Sequence, residues 1–133
     1  KDSSYAEEAV TIVFVPETGV RRATVQDIYR FSSSEAARFK LHNEFIPEVL
    51  NSGEFVPEGW EHPTLSADED KFVCYWKVVD GDPEKFTLCK WTARYDEFIV
   101  FFVSWVLPDL MSLDKIRDLI VEIDRKIAVQ IGK

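Results

Sequence analysis

The chain has 133 residues, and at roughly 150 residues per domain this length predicts a single domain. Hydrophobic residues make up 46% of it and aromatic residues 14%, which is enough for a buried core and excludes an intrinsically disordered chain. With 24 acidic against 16 basic residues the net charge is −8, so we expect no binding to nucleic acid or to an anionic membrane surface. The longest apolar run, at 98–103, is far shorter than the roughly 20 residues of a membrane-spanning helix, and no membrane span is expected.

The sequence leaves the compartment unknown. It begins at Lys1 without a Met and without an apolar segment behind it. Removal of a signal peptide would explain this start, and so would a trimmed boundary. Both an extracytoplasmic and a cytoplasmic location therefore remain open.

The first 31 residues predict a β-hairpin. Residues 9–15 are apolar and β-branched, as in a strand, and residues 17–19 carry a turn signal that includes Gly19. Residues 20–31 alternate loosely, and Thr24, Val25, Ile28 and Tyr29 favour a second strand over the first turns of a helix.

A helix is expected to follow this hairpin. Three serines and Glu35 at 32–35 are typical of a helix start, and apolar residues recur four apart from Ala37 to Val49. Pro47 falls inside this pattern, which predicts that the helix kinks or stops near Ile46.

The stretch 54–71 has no periodicity that would indicate a helix or a strand. Pro57, Gly59 and Pro63 interrupt it, and such a long connection in a small domain is either functional or packed down by its own side chains. Phe55 and Trp60 could provide that packing.

Residues 72–107 predict a three-stranded antiparallel meander. Its strands are 72–79, 86–95 and 98–107, and the short turns between them set the register. This register places Cys74 opposite Cys89 and Trp91 opposite Phe102. The third strand is apolar on both faces, as is typical of a central strand that is covered twice.

Cys74 and Cys89 have two interpretations. A disulfide between neighbouring strands forms more readily at a non-hydrogen-bonded pair, and a four-residue loop at 80–83 would give such a pair whereas a two-residue loop would not. The alternative is two buried free thiols.

Ser112 is expected to cap a last helix that reaches about Gln130. Its apolar stripe has helical spacing and consists of Leu113, Ile116, Leu119, Ile120, Ile123 and Ile127. The resulting fold class is α+β: an N-terminal β-hairpin, a helix, a three-stranded antiparallel meander, and a C-terminal amphipathic helix packed on the sheet. All 133 residues are assigned to this one domain.

Few residues could carry catalysis. His42 and His62 are the two histidines, and His62 could act as a base with Glu61 or with a carboxylate at 68–70, although a loop histidine more often has no such role. No nucleophile, phosphate-loop or dinucleotide motif is present, and the sequence predicts no catalytic residue and no cofactor. The acidic groups at 68–70 and at Asp80, Asp82 and Glu84 lack the remaining ligands of a calcium loop, and no metal site is predicted.

The aromatic residues are more informative about binding. Four Trp, four Tyr and ten Phe exceed what one thin core ordinarily takes. The apolar strip formed by Ile99, Phe101, Val103 and Trp105 is bordered by Lys90, Thr92 and Arg94, as in a partner or ligand surface, unless helices or the first hairpin cover it. The candidate binding residues are Trp60, His62, Phe101 and Trp105.

Two resemblances to known protein families, both at the level of the fold, also indicate a binding or accessory protein. The order of elements is similar to that of the Mog1/PsbP-type α+β sandwich, whose members are mostly non-enzymatic accessory proteins. Pro57-Glu58-Gly59-Trp60 is similar to the Pro-x-x-Trp turn that is common in that type. Size, acidity and the C-terminal amphipathic helix resemble secretion chaperones of bacterial type III systems, which implies a homodimer as one alternative.

The expectation from the sequence is therefore a small acidic, non-enzymatic binding or accessory protein. It would recognise a protein partner or a hydrophobic ligand through an aromatic-rich sheet face. The alternatives are a small enzyme that uses His62 and a homodimer built through the meander.

Overall fold

A computed structural model describes residues 8–14, 24–50, 53–78, 85–106 and 111–132. The turns predicted at 17–19 and 80–83 lie outside the described residues, and so does the acidic group of Asp80, Asp82 and Glu84. Among the helices of the described ranges, none combines the length and the apolar character needed to cross a membrane.

The centre of the fold is a five-stranded antiparallel sheet in the order β1-β2-β5-β4-β3. The strands are β1 (Glu8–Phe14), β2 (Thr24–Arg30), β3 (Glu69–Val78), β4 (Lys85–Tyr95) and β5 (Phe98–Trp105). The structure confirms the N-terminal hairpin and the meander, and residues 24–30 are a strand rather than a helix. β5 is the central strand because β2 pairs with its free edge.

The register of the meander is the one that the turns predict. Cys74 lies opposite Cys89, and Trp91 lies opposite Phe102. Since side chains alternate between the two faces of a strand, Trp91 and Phe102 share one face while Ile99 and Phe101 lie on the other.

The helical segment between β2 and β3 passes through Pro47 instead of stopping before it. It consists of α1 (Ser34–Lys40), a π-helical turn (Leu41–Phe45) and α2 (Ile46–Val49), and the side chain of Ser33 caps it by accepting from the Ala36 N–H at 3.0 Å. Of the two predicted outcomes near Ile46, a kink or a stop, the helix does not stop there, but its regular α-helical hydrogen bonding is interrupted by the π turn directly before Ile46. The Ile46 N–H reaches back five residues to the Leu41 carbonyl, and this wider turn accommodates the proline, which has no N–H to donate, in the first turn of α2.

The C-terminal helix α3 (Leu113–Ile131) has the predicted start and packs on the sheet. The Ser112 side chain accepts from the Lys115 N–H at 3.2 Å, and Gly132 ends the helix with a left-handed φ of 76°. Its buried stripe contacts the face of the sheet that carries Trp91 and Phe102.

The opposite face of the sheet is covered by α1, the π turn and α2. Leu41 and Phe31 pack with Ile99 in a separate, smaller core. The sheet is therefore the middle layer of an α+β domain, with one long helix on one face and a short, interrupted helical segment on the other.

The connection before β3 is held down by its own aromatic side chains, as its composition suggests. Phe55 forms a two-hydrogen-bond bridge with Cys74 at the outer edge of β3, both bonds being 2.8 Å. Trp60 stacks on Phe72 with ring centres 4.0 Å apart and planes at 9°. These contacts fix the loop against the edge of the sheet.

Candidate functional site

A cavity of about 700 Å³ lies between α3 and the β2–β5 half of the sheet. A helix is about 10–12 Å wide and covers roughly two strands, which are spaced about 4.8 Å apart. Because α3 packs over β4 and β5, it leaves the neighbouring strand β2 uncovered, and the cavity forms there. The cavity volume falls within the usual range of small-molecule sites. Among the described residues, six apolar side chains line it: Ile28, Phe98, Leu119, Ile123, Ile127 and Ile131.

Gln26 is the polar residue inside this apolar lining. It lies on β2 opposite Phe102, and only 5% of its surface is exposed. No hydrogen bond joins its carboxamide to a residue that the structure describes, and since no buried side-chain nitrogen or oxygen among those residues lacks a partner, its polar atoms face the solvent in the cavity. An amide has two donor hydrogens and an acceptor oxygen, and a ligand that covers them has to supply hydrogen bonds in place of water. A carboxamide that faces the cavity makes this cavity a candidate binding site.

The rim of the cavity carries mostly acidic side chains. Asp96, Glu97 and Glu122 lie there together with Lys126 and Gln130. Two of the carboxylates are in ion pairs: Glu97 with Arg30 at 2.9 Å, and Glu122 with Arg125 at 2.6 Å. The hydrogen bond from Arg125 is the main reason that the pKa of Glu122 is lowered. The rim is thus polar and nearly compensated in charge, whereas the interior is apolar.

A buried polar cluster fixes the position of α3 over the sheet. The Tyr95 hydroxyl donates to Asp124 Oδ1 at 2.6 Å, and the Ser66 N–H donates to both carboxylate oxygens at 2.9 and 3.0 Å. Burial and the hydrogen bond to Asp124 raise the pKa of Tyr95 far above its ordinary value. Asp124 follows the cavity residue Ile123 directly in α3, so this cluster anchors the helix close to the cavity.

Trp60 and His62 lie together, beside one of the carboxylates that the sequence suggested for His62. The contact between His62 Nε2 and Asp70 Oδ2 is 2.5 Å, and the indole N–H of Trp60 donates to His62 Nδ1 at 3.2 Å. Asp70 also accepts from the Trp91 indole at 3.0 Å. Since Nδ1 accepts a hydrogen bond, Nε2 carries the proton, and both ring nitrogens are engaged within the protein. Glu61, the other proposed partner, contributes its backbone carbonyl to Arg117.

Phe101 and Trp105 lie on the opposite face of the sheet from Trp60 and His62. Phe101 packs edge-on against Phe45 with ring centres 6.0 Å apart, and Trp105 packs against Phe86 at 6.1 Å. Both are partly buried, so the helical segment covers this aromatic face only in part. The four predicted binding residues therefore form two separate groups rather than one site.

A second polar network sits at the start of β3 on that same face. Glu69 contacts His42 at 2.6 Å and accepts from Arg94 at 2.9 Å. Burial alone would raise the pKa of Glu69, but the hydrogen bonds from Arg94 and His42 outweigh it, and the pKa is lowered below the ordinary 4.5. Within the ranges that the structure covers, no three His, Cys, Asp or Glu side chains group as a metal site.

The cysteines are joined in a disulfide, Cys74–Cys89, with Cα atoms 4.0 Å apart. The Cys74 N–H and carbonyl bond to Phe55, on the side away from β4. The pair with Cys89 is therefore non-hydrogen-bonded, which is the type of pair in which neighbouring strands come closest.

Comparisons with family models, with curated proteins and with solved structures found no match to this chain. The resemblances to the Mog1/PsbP-type sandwich and to the secretion chaperones gain no support from them. The sequence reasoning had missed the cavity and Gln26. The sequence did contain an indication of Gln26, because this polar residue lies on the same strand face as the apolar Ile28.

Proposed function

We propose that this chain is a non-enzymatic binding protein that holds an apolar small molecule in the cavity between α3 and β2–β5. The observation that carries the proposal is an apolar cavity of about 700 Å³ whose wall contains the carboxamide of Gln26, a residue that is only 5% exposed. Such a combination of apolar lining and few polar groups is typical of ligand pockets.

The enzyme alternative is less well supported. A general base needs a free lone pair within reach of the substrate, and His62 already uses both ring nitrogens, with Asp70 and Trp60. The carboxylates that line the cavity belong to Asp96, Glu97 and Glu122 at its rim, and those of Glu97 and Glu122 are held in ion pairs.

The aromatic face around Phe101 supports the proposal less than the cavity does. The cleft there measures about 270 Å³ and is bordered by Asp27, Glu44 and Glu48. Glu44 is bonded to Lys40 at 2.7 Å, and Lys90 approaches Glu48 at 3.8 Å. This cleft is smaller and more polar, so we assign the ligand to the cavity.

A fluorescent hydrocarbon, diphenylhexatriene, tests this proposal, since it has no polar group. We expect saturable binding with one site per chain. In protein with labelled isoleucine methyl groups, the NMR shifts should move at Ile28, Ile123, Ile127 and Ile131, which line the cavity. The methyl groups of Ile46 and Ile99, which pack in the core of the opposite face, are the internal control.

A matched pair of variants on α3 adds a second test. Leu119→Trp narrows the cavity and should weaken probe binding at least threefold, whereas Val129→Trp places the same ring at an exposed position and should leave binding unchanged. Absence of saturable binding, or shifts at Ile46 and Ile99 instead, would overturn the proposal.

A further inference from the structure

We infer that the natural ligand is an uncharged amphiphile: an extended apolar chain that ends in one hydroxyl or carbonyl group, which hydrogen-bonds to Gln26. This inference rests on the proposed function and specifies its ligand. It follows from the state of Gln26, from the charges around the cavity and from the shape of the apolar lining.

Gln26 requires a polar group on the ligand. Only 5% of the residue's surface is exposed, its carboxamide faces the cavity, and no hydrogen bond joins that carboxamide to a described residue. A pure hydrocarbon would bury that amide unpaired, which costs about 1–3 kcal/mol. A hydroxyl can donate to the amide oxygen or accept from its NH₂ group, and a carbonyl can accept. Either group satisfies Gln26 without carrying a charge.

A charged head group does not fit next to Gln26. Ile28 lies on the same face of β2 as Gln26, and a neutral amide cannot compensate an ion that has lost its water. The net charge of −8 on the chain also disfavours an anionic ligand.

Two of the three rim carboxylates that a cation could bind are already in ion pairs. Glu97 is bound to Arg30, and Glu122 is bound to Arg125 with Lys126 at 3.8 Å. A ligand anchored at the rim by an ammonium group would also leave Gln26 unpaired. An uncharged head group inside the cavity is consistent with both observations.

The shape of the lining favours a linear ligand. The cavity follows α3 from Leu119 to Ile131, a distance of about 18 Å at 1.5 Å per residue. Ile123, Ile127 and Ile131 recur at intervals of four along this length and form one apolar stripe. An extended alkyl chain can lie along this stripe with its polar end at Gln26.

The experiment is competition against bound diphenylhexatriene by decanol, decanoate and decylammonium, which share one alkyl chain and differ in charge. We expect decanol to displace the probe at a concentration at least tenfold lower than that required of either ion. Gln26→Leu should weaken the binding of decanol about threefold to tenfold, which corresponds to the loss of one hydrogen bond. The affinity for the probe should change by less than twofold.

Asn43→Leu is the matched control for Gln26→Leu, since it removes an amide from an exposed position on the opposite face, and it should change nothing. Thermal unfolding of both variants checks that they fold. If the probe binds but an ion competes best, or if Gln26→Leu binds decanol as the wild type does, the inference fails while the proposed function stands. If the probe itself does not bind, the proposed function fails.

Discussion

Tyr95 at the end of β4 donates its hydroxyl hydrogen to Asp124 in the middle of α3, at an O–O distance of 2.6 Å. Both residues are buried, and the Ser66 N–H bonds to the same carboxylate, so that a strand, a loop and a helix meet at one charged group. Hydrogen bonds to a charged group are about twice as strong as those between neutral groups. This contact is therefore a main determinant of where α3 sits on the sheet.

We expect Tyr95→Phe to lower the free energy of unfolding by about 2 kcal/mol, because the buried carboxylate of Asp124 loses a donor. Urea unfolding measures the loss. Tyr75→Phe is the control, since the ring that contacts Lys90 is retained, and it should stay within about 0.5 kcal/mol of the wild type. Equal effects of the two substitutions would contradict the role given to Asp124.

Alkaline pH should destabilise the protein through Tyr95. Burial and Asp124 raise its pKa above the ordinary 10.0, so the folded state holds the phenolic proton more tightly than the unfolded state does. The resulting stabilisation is complete below about pH 10 and is lost as the pH rises beyond it. We expect urea midpoints to fall above pH 10 in the wild type and less steeply in Tyr95→Phe. A parallel decline in both proteins would refute this assignment.

Acidic pH should destabilise the folded protein through Glu69. Its pKa is lowered in the folded state by Arg94 and His42, so the unfolded state takes up the proton first as the pH falls. The stabilisation is present above about pH 4.5, the ordinary value, and is lost as the pH drops through the lowered pKa. Glu69→Gln should therefore lose less stability than the wild type between pH 5 and pH 3. Denaturant titrations at several pH values measure the difference in slope.

Because Cys74 and Cys89 form a disulfide, we expect a thiol reagent to react with no cysteine, even in denaturant, until a reductant is added. Replacing both Cys74 and Cys89 by Ala should lower the free energy of unfolding by about 3 kcal/mol, as for a loop of about 15 residues. Two thiols that react in unreduced, denatured protein would show instead that the cysteines are free.

Local patterns were sufficient to predict the meander and its register. Short turns fix which residues face each other, and serine caps with apolar stripes mark helix starts, as Ser33 and Ser112 demonstrate. The pairing of β2 with β5 could not be predicted in this way, because it joins residues more than 70 positions apart, such as Ile28 and Val100. Sequence periodicity carries no information on such distant pairs.

The candidate site depended on that distant pairing. The cavity arises where β2 extends the sheet beyond the reach of α3, so its lining comes from segments that are remote in sequence. The sequence singled out His62 correctly as a residue near a carboxylate, yet only the fold reveals that Trp60 occupies its second nitrogen. The π turn before Pro47 could not be predicted from the sequence either, because the helical spacing of apolar residues does not reveal one widened turn.

The bridge between Phe55 and Cys74 has a consequence for assembly. Edge strands with free N–H and carbonyl groups can template the addition of a strand from another molecule, but Phe55 occupies these groups at the middle of β3. Intermolecular growth of the sheet at that margin would first have to displace the loop and its aromatic stack.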